Sequence, residues 1–162
     1  MTTKPLINLV ADAVVRGLNS TQFSTVGANQ SVVFERVNIP LYDLEKVGPV
    51  PLGFVTPRGK SIELLTRKHT SDALTIDIGL MRRVSRADQE IEVDQMRTLV
   101  EEVIDRMTMF EFDEADTDLA NVRWTETEND PFVVPEHLRE HGVFTSVVSV
   151  TFDAAVTRRK EA

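Results

Sequence analysis

The chain has 162 residues, 41% of them hydrophobic, and a formal charge of −8 at pH 7, enough apolar material for one domain (1–162) with a real core. Its acidity argues against unassisted binding to a nucleic-acid backbone or to anionic lipid, since both need a basic surface. The absence of cysteine excludes disulfides, thiolate metal sites and cysteine nucleophiles and fits a reducing compartment, and no run approaches the roughly 18 apolar residues of a membrane span.

The first predicted element is a helix. Thr2 or Thr3 is placed to cap it and Pro5 to occupy its opening turn, where a missing N–H costs nothing. Leu6, Leu9, Val10, Ala13, Val14 and Leu18 form its apolar face, while Gly17 and Asn19-Ser20 mark its end. Asp12 and Arg16 break the apolar stretch too early for a secretion signal. After a polar link over residues 25–31, Val32 to Val37 reads as a strand. From Ile39 to Pro51, Pro40, Gly48, Pro49 and Pro51 prohibit long regular structure, with Tyr42, Leu44 and Val47 available to pin the loop to the core. Phe54 and Val55 open a strand that Pro57-Arg58-Gly59 is expected to turn, with Ser61 to Leu65 returning from it. Arg67-Lys68-His69-Thr70 forms a polar crest, the tip of a long hairpin. Residues 39–51, 56–73 and 126–142 are thus expected to be loops or insertions in an ordered core of 5–155.

Leu74, Ile76, Ile78 and Leu80 alternate with Thr75, Asp77, Gly79 and Met81, the period of two of a strand with one polar face. Ser85 to Asp88 turns into the central helix, Gln89 to Met109. There Val93, Met96, Val100, Val103 and Met107 are spaced 3, 4, 3 and 4 apart, and Leu99 and Ile104 widen that line into one broad face. Asp88, Glu90, Glu92 and Asp94 suit the positive end of the helix dipole, and Glu102 and Arg106 stand i,i+4 on the outer face. Phe110 and Phe112 alternate with acids, and Glu111 to Asp118 makes an acidic connection. Ala120 to Thr125 is a strand carrying the single tryptophan, Trp124. Asp130-Pro131 starts a loop, Pro135 opens a short helical turn through Glu140, and Gly142 closes it. The β-branched run from Phe144 to Phe152 reads as a central strand, and Arg158 to Ala162 as a frayed, charged tail. Helices segregated from strands in this way predict an α+β domain. It has two layers, a largely antiparallel sheet flanked by a long central helix and an N-terminal helix.

Three patterns imitate chemistry. His137-Leu138-Arg139-Glu140-His141 spells the inverted zinc-protease motif, in which two histidines four apart share a metal. Such a site still needs a downstream acidic ligand from a further helix, and the 21 residues after His141 read as strand and tail. Gly59-Lys60-Ser61 resembles the end of a phosphate-binding loop, yet five residues separate Gly53 from Gly59 and one is Pro57, which lacks an N–H. The run Glu111, Asp113, Glu114, Asp116 and Asp118 lacks the glycine and terminal glutamate of a calcium loop. Asp77 is a lone carboxylate on a strand, with no acid or histidine beside it in sequence. No cofactor, metal site or enzymatic activity is therefore expected.

Several stretches in order carry a family likeness. They are Ile7-Asn8-Leu9-Val10-Ala11-Asp12-Ala13-Val14; the Pro-broken loop with Tyr42-Asp43-Leu44; the crest at Arg67 to Thr70 before Leu74-Thr75-Ile76-Asp77-Ile78; Leu99-Val100-Glu101-Glu102-Val103-Ile104; and the terminal strand Phe144 to Phe152. This layout resembles the tail-terminator proteins of long-tailed bacteriophages over roughly residues 5–155. The resemblance implies a non-enzymatic virion protein at the head–tail junction, assembled in the host cytoplasm. It implies a hexameric ring of this chain that caps the tail tube protein, stops tube growth and meets the head-completion or connector protein. DNA would pass through the lumen without specific binding, and no membrane is involved. A second neck component, such as a head-completion adaptor, and a small cytoplasmic binding module are the alternatives. A ring subunit needs two unlike surfaces that meet head to tail. The basic points Arg58, Lys60, Arg67, Lys68 and His69 are the expected subunit or tube interface residues, set to meet a neighbour's acidic surface such as the loop at Glu111 to Asp118.

Overall fold

A computed structural model describes residues 4–24, 32–39 and 43–158. Its elements are α1 (Leu6–Asn19), β1 (Val33–Arg36), a 3-10 turn (Leu44–Lys46), β2 (Leu52–Leu64), β3 (His69–Arg83), α2 (Gln89–Met107), a second 3-10 turn (Thr117–Leu119), β4 (Val122–Glu128), α3 (Pro135–His141) and β5 (Val143–Thr157). The strands form one open sheet in the order β1-β2-β3-β5-β4. All neighbours are antiparallel except β1 and β2, whose parallel pairing is permitted by the long crossover of residues 37–51. The α+β expectation holds.

Period-two burial places the helix layer. Leu74, Ile76, Ile78 and Leu80 of β3 and Val148, Val150 and Phe152 of β5 have no exposed surface. They share one cluster with Val10, Val14 and Leu18 of α1 and Met96, Leu99, Val100, Val103 and Met107 of α2. Helix α1 packs across β1 to β3 and α2 across β5 and β4, so both cover the same face. The stripe read in α2 is the stripe that is buried, with Val93 and Ile104 at its margins. Thr2 and Thr3 lie outside the described residues, and Pro5 is the residue preceding α1 rather than part of its first turn. Gly17 lies inside α1, where a Cβ would stand 2.7 Å from the Phe110 ring; it admits that ring rather than ending the helix. Arg106 donates from Nε to Thr21 Oγ1 at 3.0 Å and stacks on Phe110, while Glu102 accepts from Ser24.

The other face is half-covered. Val47 packs with Met81 and Val143, joined by Leu44 and Phe54, so these two loop residues do pin the segment, while Tyr42 lies outside the described residues. Arg83 locks the same segment, donating to the carbonyls of Val47 and Leu44 at 2.8 Å each and of His141 at 2.9 Å. Gly142 ends α3 with φ of +65°, the left-handed conformation in which glycine has no Cβ penalty.

Three expectations need correction. Pro57-Arg58-Gly59 is not a turn: β2 runs unbroken from Leu52 to Leu64, and those residues are a β-bulge where the register to β3 shifts. Residues 56–73 are therefore mostly strand, and 126–142 contain the end of β4 and all of α3. Arg158 is not frayed. Its backbone N–H donates to Lys68 O at 2.8 Å and its guanidinium to Asp72; residues 159–162 lie outside the described set.

Candidate functional site

The bulge generates the most distinctive surface. Opposite residues of paired strands share a face, so Val55 and Pro57, facing Ile78 and Ile76, lie on the helix side. One extra residue inverts the alternation. Beyond it Lys60, Ile62 and Leu64 face Leu74, Asp72 and Thr70, again on the helix side. The register shift is set by pairing to β3, and in the sequence the Pro-Arg-Gly run masks it as a turn. The distal halves of β2 and β3 and the end of β5 thus form an arm, flanked by β4 as far as Ala154 and three-stranded only at its tip. Strand β1 reaches only the first four residues of β2. Among the described residues, the outer edge of β2 in the arm is unpaired. Ile62, Leu64 and Leu65 are 53%, 71% and 56% exposed there.

One buried carboxylate holds the arm. Asp72, whose side chain is 1% exposed, accepts from Lys60 Nζ at 3.0 Å, from Arg158 Nη2 at 2.9 Å and from Thr70 Oγ1 at 3.1 Å. Burial alone would raise its pKa. The hydrogen bonds from Lys60, Arg158 and Thr70, and the Lys60 charge, outweigh burial and hold it below the usual carboxylate value. Sequence reading missed Asp72, because its partners stand 12 and 86 positions away; a lone acid at a core-parity position of β3 was the available signal.

The five basic residues separate into two sets. Arg58 turns to the half-covered face, with Nη1 at 3.4 Å from Ser149 Oγ and 3.7 Å from Asp77 Oδ1. Ser149 Oγ donates to Asp77 Oδ1 at 2.6 Å, so Asp77 does find partners, across strands. Lys60 turns to the helix face and Asp72. Both cations are thus engaged within the chain. Arg67, Lys68 and His69 gather at the hairpin tip. His69 Nδ1 lies 3.3 Å from Thr157 Oγ1, whereas the exposed side chains of Arg67 and Lys68 have no partner among the described residues.

The acidic connection forms the wall of a second feature. Phe110, Phe112 and Phe152 stack with centroids 5.2–6.2 Å apart. Phe112 and Leu119 floor an open hollow of about 520 Å³ rimmed by Glu111, Asp113 and Glu114. Asp116 is held bidentately by Arg16 Nη2 at 2.9 and 3.0 Å, and Asp113 Oδ1 accepts from Ala115 N. The motif-like histidines are dispersed in role: His137 Nδ1 meets Thr145 Oγ1 at 2.9 Å, and His141 gives its carbonyl to Arg83. Among the described residues, no three His, Cys, Asp or Glu side chains gather to hold a metal. Among the described residues, no helix is long and apolar enough to cross a membrane.

No protein-family profile matches the chain, and no curated protein matches it. Among solved structures it is similar to a chain from the virion of a native gene transfer agent particle. The identity is 10% and the TM-score 0.46, over 96% of this chain and 100% of that one.

Proposed function

We propose that this chain is a structural virion protein that caps the tail tube of a long-tailed phage, ends tube polymerisation and joins the tail to the head connector. The observation that carries the reading is the arm. It projects past the short β1, ends in three exposed apolar side chains beside two unpaired cations, and is rigidified at its root by Asp72. Exposed apolar side chains gathered at one end of an arm suit an association surface. Anchoring it on a sheet reduces the ordering entropy lost on docking. The likeness of layout to tail terminators supplies the form of association, a ring of six copies seated on the last tube ring. Its net acidity suits a lumen through which DNA slides without sticking; a lumen lined by lysine and arginine would contradict that. The decisive test is addition of the purified chain to polymerising tail tubes, with tube length scored by microscopy. Capping yields tubes of arrested length with density on one end, whereas unchanged growth sinks the reading.

A further inference from the structure

The arm tip and the Phe112 hollow have matching chemistry and lie at opposite edges of the sheet. Leu64 ends the β2 edge strand and Leu65 follows it, while the hollow adjoins Val122 on β4, three strands away in the order β2-β3-β5-β4. The tip presents two leucines, 71% and 56% exposed, followed by Arg67 and Lys68. The hollow presents an aromatic and aliphatic floor with Glu111, Asp113 and Glu114 on its rim, and Arg123, which donates to the Ala120 carbonyl, at its β4 side. Glu111 and Glu114 have no ion-pair partner among the described residues, just as the two cations have none. On a chain of charge −8, like-charged faces repel. A basic apolar tip against an acidic-rimmed apolar hollow is a pairing that attracts.

We propose that the hairpin tip of one copy docks in the Phe112 hollow of a second copy. Leu64 and Leu65 lie over Phe112 and Leu119, and Arg67 and Lys68 meet Glu111 and Glu114. Because donor and acceptor surfaces are different patches on opposite edges, the contact is head to tail. Each docked copy leaves one tip and one hollow free, so the contact repeats until the rotation closes a ring. The closure into a ring rests on the tube-capping reading; the pairwise contact does not.

The absence of native cysteine makes a site-specific crosslink clean. Copies carrying Leu65→Cys are mixed with size-tagged copies carrying Ala120→Cys, at the exposed rim of the hollow, under mild oxidation, both in solution and on tail tubes. The control pair replaces Ala120→Cys with Glu136→Cys, exposed on α3. The expected result is a mixed disulfide at least about tenfold above control, reduced about tenfold by Arg67→Glu with Lys68→Glu. It should be restored when the acceptor copy carries Glu111→Lys and Glu114→Lys. Rings or capped tubes that form with crosslinking no higher than control would overturn this contact and leave the tube-capping reading standing. A tip that crosslinks to the tube protein and never to a second copy would overturn it as well. A strict monomer with uncapped tubes and no crosslink would end both.

Discussion

Replacing Asp72 by Asn tests the root of the arm. The carboxylate accepts from two cations at 2.9–3.0 Å while its own side chain is 1% exposed. Hydrogen bonds to a charged group contribute about 1.5–3 kcal/mol each. Lys60 and Arg158 are 40% and 43% exposed, so water recovers part of their solvation when the partner charge is lost, and each contribution is roughly halved. The expected cost of the substitution is therefore about 1.5–3 kcal/mol, read as a lowered urea midpoint at pH 7 with a nearly unchanged slope. The pH dependence supplies a sign. The folded-state pKa of Asp72 lies below its ordinary value, so the unfolded chain binds more protons over that interval. The stabilisation is present above the ordinary carboxylate pKa and is lost as pH falls through it toward the depressed folded value. Wild type and the Asn variant should therefore differ at pH 7 and converge on acidification below about pH 4. A difference under about 0.5 kcal/mol at pH 7, or one that grows on acidification, would refute the reasoning.

Gly53→Ala places a Cβ 2.3 Å from the ring of Phe34, which is 2% exposed. Overpacking of about 1–3 kcal/mol is expected by thermal unfolding, and the added Phe34→Leu should relieve part of it. Arg83→Lys abandons a fork that holds three carbonyls within 2.9 Å. We expect a loss of about 2 kcal/mol, with faster amide exchange over residues 43–48 as the local signature. Zinc should raise the melting temperature of the untagged protein by less than about 1 °C even in large excess, because His137 and His141 have no third ligand nearby among the described residues; a saturable rise would show a site.

The α2 stripe, the β3 alternation and the Pro135–Gly142 turn were legible because each is a local pattern whose period states its own structure. The bulge was not, because proline and glycine mark a turn and a bulge with the same letters, and only pairing to β3 separates the two. Likewise, the crest at Arg67 to His69 was visible as exposed charge. The engagement of Arg58 by Asp77 and of Lys60 by Asp72 depends on strands that meet only after folding. Asp72 and Arg158 are the clearest case: an acid on a strand and a base read as tail, joined across 86 positions.

The most direct test of the tube-capping account is the mass of the purified chain by light scattering, with negative-stain microscopy of the same fractions and of those fractions mixed with tail tubes. Tube capping predicts closed rings with an open centre, in solution or on tube ends. Particles that remain monomeric while tube ends stay bare and continue to grow would contradict it.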